Sequence, residues 1–328
     1  MNMKAMIYTQ YGSPDMLRLA DVPKPTPKAG EVLVHIHAAG VNSADIRLLR
    51  GQPFVVRLTG FGLFKPKHTI LGGDIAGRVE AVGSGVTGFK PGDAVYGDIS
   101  NCGMGGFAEY VAVPQAALAP MPVTLSFEEA ASLPLAGVTA LQAVRDKAQV
   151  KAGERVAING ASGGVGTFAV QIAHALGADV TAIASASKLE MLRELGASHV
   201  IDYAREDFTA RAGQYDVILA INGYHPLAQY ARALKPGGRY VMVGGTDAQI
   251  FEAMLRAPLM RKRDRKRLGN LISKATPADL RALTALIENG AVKPVIERYY
   301  LLAEVAEALR VLEAGHARGK LVIKVVGG

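Results

Sequence analysis

Gly160, Gly163 and Gly166 stand three residues apart, between a short apolar run, Val156–Ile158, and a second apolar stretch that continues to Ala178. Residues of this type at this spacing serve phosphate recognition. One glycine permits a tight turn, one lets the backbone approach a pyrophosphate, and one lets helix and strand pack closely, while the following helix N-terminus offers N–H groups to the charge. Ala161, Gly163 and Gly166 approximate a GxGxxG pattern with alanine in the first place. Gly160, Ser162, Gly163, Gly164, Val165 and Gly166 are therefore candidates for holding a dinucleotide. Val180–Ile183 makes the next strand, and Ser185, Ser187 and Lys188 follow it. A site for NAD usually carries an acidic residue there, about 20 residues past the glycines, to bind the ribose 2′-hydroxyl. Hydroxyls and a cation suit a 2′-phosphate instead, so NADPH is expected over NADH. The two serines also suit capping of a helix starting near Lys188, and neither role excludes the other.

The elements that must position these residues alternate. After Val156–Ile158, strand character recurs at Val180–Ile183, His199–Ile201, Val217–Ala220 and Tyr240–Val243, with helices expected at Lys188–Leu195 and His225–Leu234. That order predicts an α/β doubly wound parallel sheet. The N-terminal part differs. Short strands at Met3–Thr9, Glu31–Ala39, Gly77–Val82, Ala94–Tyr96 and Ala108–Val113 are separated by proline and glycine signals, which describes a β-rich domain. Ser126 can cap a helix containing Glu128 and Glu129, another helix is expected over Gly137–Ala148, and the last segment returns to strand, helix and strand.

A chain of 328 residues with 49% hydrophobic residues fits two domains. The single cysteine, Cys102, excludes an intrachain disulfide and a cysteine-rich zinc lobe, in keeping with a reducing cytoplasmic setting. No targeting segment is evident, and no 18 apolar residues run together. Much of the net charge of +8 sits in Arg256–Arg267, where Arg261, Lys262, Arg263, Arg265, Lys266 and Arg267 surround only Asp264. The bland reading is a solvated surface stretch. Peripheral contact with anionic lipid or an acidic partner is the sharper one, and nucleic acid is not expected because no aromatic residue is interleaved.

Further motifs span the chain: GEVLVHIHAAGVNSADIRLLRG (Gly30–Gly51), LGGDIAGRVEAVGSGVTGFKPGDAVYG (Leu71–Gly97), GGFAEY (Gly105–Tyr110), AGVTALQA (Ala136–Ala143) and GHARGKLVIKV (Gly315–Val325). With the glycine loop, they resemble the medium-chain dehydrogenase/reductase superfamily and, within it, the zinc-independent, zeta-crystallin-like quinone oxidoreductases. The resemblance implies a GroES-like catalytic domain from residues 1–123 and 293–328, a Rossmann domain from 124–292, an active site in the cleft, and a homodimer. It implies that Asn42 and Asp45 line the cleft beside the nicotinamide ribose, with a proton relay near them. Thr139 is expected at the nicotinamide half, Tyr203 and Lys188 near the adenosine phosphate, and Asn222 with Gly244, Gly245 and Thr246 at the nicotinamide border. The end of Arg318-Gly319-Lys320 matches a position that can also touch the cofactor, with Arg318 as the candidate contact.

Two departures from the zinc-dependent branch bear on chemistry. Asn42 stands where those enzymes have a ligand cysteine, and Gly73 where they have a ligand histidine. A catalytic zinc needs about three protein ligands, so no metal is expected. The acceptor must then take hydride without Lewis-acid help, as quinones and conjugated carbonyls do, since the charge delocalises into a hydroquinone anion or an enolate. An enoyl or alkenal double-bond reductase is the alternative enzyme, and an NADPH-binding protein with little turnover is the alternative of another class. Within Gly51–His68, Phe54, Phe61 and Phe64 are placed either as the wall of an apolar substrate pocket or buried against the domain. Asn42 and Asp45 could also simply bond their own turn, and Asp74 is expected to satisfy buried backbone or an arginine. Cys102 has no evident activating neighbour.

Overall fold

The structure is a computed structural model that describes every residue except 55, 246–251, 253–265, 316, 327 and 328. The chain forms two compact units, one of Met1–Ala136, Ala275–Glu288 and Ile296–Gly328, the other of Gly137–Lys274 and Asn289–Val295.

In the first unit β1 (Asn2–Ile7) and β2 (Arg18–Pro23) form an antiparallel pair. The spine is β3 (Glu31–Val41), whose alternating and then continuous burial reflects cover on both faces near its end. Along one side it pairs antiparallel with β4 (Asp74–Val82), which carries β5 (Ala94–Asp98). Along the other side its start pairs with β6 (Tyr110–Pro114), and β7 (Leu118–Pro120) closes the far edge on β5. The helix α1 (Ser43–Arg50) leaves the end of β3 and stops at Gly51, whose φ of 59° is the left-handed conformation that glycine adopts without strain.

The second unit holds β8 (Arg155–Asn159), β9 (Asp179–Ala184), β10 (His199–Asp202), β11 (Tyr215–Ala220), β12 (Leu234–Met242) and β13 (Arg267–Asn270). They are parallel, in the order β10-β9-β8-β11-β12-β13. Strand order reverses beside β8, so a crevice opens at the carboxyl ends of β8 and β11, where open sheets bind ligands.

The chain then returns to the first unit. β14 (Ile296–Leu301) pairs parallel with β15 (Lys320–Lys324), and β15 pairs antiparallel with the end of β3. The helix Pro277–Glu288 also packs in this unit: the Tyr96 hydroxyl donates to the Leu280 carbonyl at 2.7 Å and lies 2.9 Å from Thr284 Oγ1. The Rossmann bounds expected from the sequence, 124–292, include that helix. Its apolar face, with Leu280 and Leu283 buried, would suit either core, and the Tyr96 bond decides between them. Ser126 caps its helix as expected, accepting from Glu129 N. Strands β2 and β13 had not been anticipated, being short and rich in charged or small residues.

Candidate active site

The glycine loop builds a phosphate cradle at the end of β8. Gly160 turns with φ +84°, a Cβ on Gly166 would lie 2.2 Å from the Gly160 carbonyl oxygen, and a Cβ on Gly163 would meet nothing nearer than that same oxygen at 3.8 Å. Gly160 and Gly166 are therefore demanded by the fold, whereas Gly163 leaves open space in front of the helix Gly164–Ala175. The first i→i−4 donor of that helix is Thr167, which donates to the Gly163 carbonyl at 2.9 Å. The N–H groups of Gly164, Val165 and Gly166 precede it and lie at the positive end of the helix. Ser162 is buried beside them. An open cradle of backbone donors, which a side chain would fill, fits the pyrophosphate of a dinucleotide.

The remaining candidates of this unit gather at the same carboxyl edge of the sheet. Ser185 leaves β9 in extended conformation and is half-buried, and the Tyr203 N–H, just after β10, donates to the Ala184 carbonyl at 3.2 Å. Tyr203 is half exposed, with its ring edge-on to Tyr224. Lys188 is the N-cap of the following helix, Leu189–Glu194. Sequence reasoning missed Asp202, opposite Ala184 in the sheet register. Its carboxylate accepts from Ala204 N at 3.1 Å and pairs with Arg205.

At β11 the N–H groups of Ile221 and Asn222 donate to the Asn159 carbonyl, and Gly223 N donates to the Gly244 carbonyl, which holds the Asn222 turn beside Gly244 and Gly245. The turn is locked from below. Tyr230 Oη accepts from Asn159 Nδ2 at 2.8 Å, Tyr224 N at 3.2 Å and His225 N at 3.4 Å. Thr139 is buried in the helix Pro134–Leu141. Thr246 lies outside the described residues, as does the basic segment apart from Lys266 and Arg267.

In the first unit, antiparallel register brings the end of β3 together with the start of β4, the end of β5 and the start of β15. Gly40 faces Asp74, Asp74 faces Asp98, and Leu321 faces Val41, so Asn42 and Lys320 meet at one corner. The Asn42 carboxamide is almost wholly buried. Its Oδ1 accepts from Lys320 Nζ at 2.6 Å, and its Nδ2 donates to Asp74 Oδ2 at 2.9 Å and, more loosely, to the Gly40 carbonyl at 3.4 Å. Asp74 also accepts from Leu135 N at 2.8 Å and from Lys320 Nζ at 3.3 Å. The sequence expectation of buried backbone or an arginine is met by the Leu135 N–H, while the charged partner is a lysine.

Asp45, expected in the cleft, is fully buried instead. Its Oδ2 accepts from Asn42 N at 2.8 Å and its Oδ1 from Gly72 N at 3.1 Å, so the carboxylate caps α1 and anchors the loop before β4 rather than facing a ligand. Burial pushes the Asp45 carboxyl up to about 7, against the two backbone bonds that favour its charge. Burial likewise raises Asp74 to about 6, with the Lys320 ammonium as the main opposing influence, and it raises Asp98, whose Oδ1 accepts from Ser100 N.

This corner does not suit a catalytic zinc. Gly73 offers no donor, and the Asn42 oxygen already carries an ammonium, a cation that would repel a metal there. Among the described residues no cluster of three or more His, Cys, Asp or Glu side chains could hold a metal ion.

The three phenylalanines do not share one fate. Phe61 packs against the core and edge-on to His68, whereas Phe54 and Phe64 are 59% and 89% exposed. Arg318 is exposed, its N–H donating to Glu297 Oε2 at 2.7 Å. Lys320, two residues on, ends the Arg318-Gly319-Lys320 stretch, and its place beside Asn42 is not among the sequence expectations. The signal available was a lysine opening an otherwise apolar strand, KLVIK.

Residues 28–123 match the family described as the alcohol dehydrogenase GroES-like domain, and residues 195–323 the family described as zinc-binding dehydrogenase. The 2-methylene-furan-3-one reductase of Solanum lycopersicum is 36% identical over 98% of this chain and 79% of its own length. The NADPH-dependent alkenal/one oxidoreductase of Arabidopsis thaliana is 33% identical over the same shares. Among solved structures, the quinone oxidoreductase of Coxiella burnetii superposes with a TM-score of 0.87 at 33% identity, covering 99% of this chain and 100% of that one. The CurK enoyl reductase superposes with a TM-score of 0.84 at 27% identity, covering 98% and 99%. With the parallel sheet, the glycine cradle and the GroES-like sheet in place, the chain belongs to the medium-chain dehydrogenase/reductase superfamily, in its quinone oxidoreductase-like branch, and is an NAD(P)H-type oxidoreductase.

Proposed function

We propose that this enzyme uses NADPH, without a metal, to reduce quinones and related electrophilic conjugated carbonyls. The observation that carries the cofactor assignment is the edge of the parallel sheet. The end of β9 presents Ser185 and then Lys188, with no carboxylate at the position that binds a ribose 2′-hydroxyl, and Tyr203 lies beside them. Bound NADPH supplies the hydride to an acceptor whose charge delocalises as it arrives. Gly163, Gly164, Val165 and Gly166 hold the pyrophosphate by backbone donors, Ser185, Lys188 and Tyr203 recognise the 2′-phosphate, and Thr139, Asn222, Gly244 and Gly245 border the nicotinamide. Asn42 marks the acceptor side. Residues Thr246 and Arg318 complete the cofactor contacts that the family resemblance suggests. The protein works as a homodimer in the cytoplasm, a setting in keeping with its lone, exposed Cys102.

Reduction of a carbon–carbon double bond is the second reading, favoured by the names of the tomato and Arabidopsis relatives. Chelator-treated protein is assayed for acceptor-dependent loss of NADPH absorbance with quinones, alkenals and an enoyl thioester. Turnover of quinones, retained after chelation and slower with NADH, is expected. Turnover of the conjugated carbonyls alone moves the assignment to double-bond reduction. NADPH binding with no turnover at all points to a binding protein.

A further inference from the structure

Lys320 is 3% exposed, an unusual place for an ammonium, which is seldom buried unless it is paired. It opens β15, whose next residues Leu321, Val322 and Ile323 are all buried, and it points its charge into a corner with three carboxylates. Its Nζ donates to Asn42 Oδ1 at 2.6 Å and to Asp74 Oδ2 at 3.3 Å. Asn42 Nδ2 in turn donates to Asp74 Oδ2 at 2.9 Å. Ammonium, carboxamide and carboxylate thus close a three-membered ring of hydrogen bonds. A carboxamide is ambiguous about which end is oxygen. Here the cation requires oxygen on one side and the carboxylate requires nitrogen on the other, so only one orientation satisfies both.

We infer that Lys320 is a positioning residue for the acceptor site: paired with Asp74, it locks the Asn42 carboxamide in one orientation and supplies a fixed positive charge beside it. The inference rests on the proposed reductase reading, in which Asn42 marks the acceptor side. Lys320 acts through Asn42 and Asp74 rather than on the acceptor itself. The charged groups that face it are Asp74, Asp98 and Asp45, each of which its ammonium favours in the ionised form. Removing the cation leaves Asp74 buried without a counter-charge, so Asp74 takes up a proton at higher pH, and a protonated carboxyl no longer requires nitrogen from Asn42.

The test compares wild type, Lys320→Met and Lys320→Arg as full-length protein, by kcat against pH and by NADPH Kd. In Lys320→Met, kcat is expected to fall at least about tenfold and the acid limb of the profile to move up by about one pH unit or more, the effect of losing one close opposite charge. NADPH Kd changes by a clearly smaller factor than kcat, because the phosphate cradle belongs to the other unit. Lys320→Arg returns the limb towards wild type. Asp74→Asn serves if Lys320→Met fails to fold: it keeps an acceptor for Leu135 N, and it flattens the acid limb. A wild-type limb and kcat in Lys320→Met, or a wild-type limb in Asp74→Asn, overturns the inference alone, and so does parallel loss of kcat and NADPH affinity. A wild type that binds NADPH but reduces no acceptor overturns the reductase reading and this inference with it.

Discussion

Gly163 and Gly166 separate the two tasks of the glycine loop, because one leaves open space and the other is closed in by backbone. Gly163 has φ −81° and ψ 179°, extended backbone that alanine adopts freely, and its Cβ would clear the protein. Gly163→Ala is therefore neutral to slightly stabilising, by up to about 0.4–1 kcal/mol from the stiffer unfolded chain. The methyl occupies the space where a pyrophosphate oxygen approaches the helix N-terminus. Losing one charge-assisted hydrogen bond costs about 1.5–3 kcal/mol, or roughly tenfold to 150-fold in NADPH Kd. Gly166→Ala is the converse. Its Cβ would stand 2.2 Å from the Gly160 oxygen and 2.6 Å from the Ala161 carbonyl carbon, all backbone that cannot swing aside. Overpacking of this kind costs about 1–3 kcal/mol, which lowers the melting temperature by several degrees. Differential scanning fluorimetry without cofactor and fluorescence titration with NADPH read the two effects separately. Wild-type NADPH affinity in Gly163→Ala, or wild-type stability in Gly166→Ala, would refute this account of the cradle.

Ser185→Asp places a carboxylate at the end of β9. At about 5 Å from a 2′-phosphate of charge about −1.5 to −2, with effective dielectric of about 40–80, repulsion is about 1–3 kcal/mol, so the ratio of NADPH to NADH kcat/KM falls about tenfold or more. An unchanged ratio removes Ser185 from the phosphate site. The Asp45 carboxyl, at about 7 in the folded protein against 3.8 unfolded, binds a proton that the unfolded chain has already released. The stability this contributes is full below the unfolded value and is lost as pH rises through about 7. The melting-temperature difference between wild type and Asp45→Asn should accordingly shrink from pH about 4 to about 8, and a constant difference argues against a raised carboxyl. Tyr230→Phe leaves the Asn159 amide, only 1% exposed, short of the acceptor it uses at 2.8 Å. The expected loss is about 1–3 kcal/mol with an unchanged denaturant slope. A midpoint equal to wild type shows that the hydroxyl is not needed.

What was legible in the sequence was what depends on spacing along the chain. The glycine loop, its flanking strand and helix, and the alternation that follows are local patterns, and the parallel sheet has them where expected. Less legible were features set by contacts distant in sequence. The helix Pro277–Glu288 is amphipathic enough to serve either unit, and contacts distant in sequence, with Tyr96 nearly two hundred positions away and with β7, place it in the first. Phe54, Phe61 and Phe64 are the same residue type within one loop, yet only Phe61 reaches the core. Nothing in their order distinguishes them.

The buried corner at Asn42 shows the same limit more sharply. Asn42 and Asp45 were recognisable through a motif, but the motif carried an expectation about ligands that the packing reverses for Asp45, whose oxygens both accept from backbone. Asn42 was legible as a departure from a metal-ligand pattern, and a departure says only what is missing. The partner that Asn42 has instead lies 278 positions away at the start of another strand. Antiparallel pairing of β15 with β3 delivers a lysine to the asparagine, and a pair of that separation has no periodicity to read. Burial raises the carboxyls of this corner, and the Lys320 ammonium, delivered by the sheet, is the main opposing influence at Asp74 and a lesser one at Asp98, where the Ser100 hydrogen bonds come first.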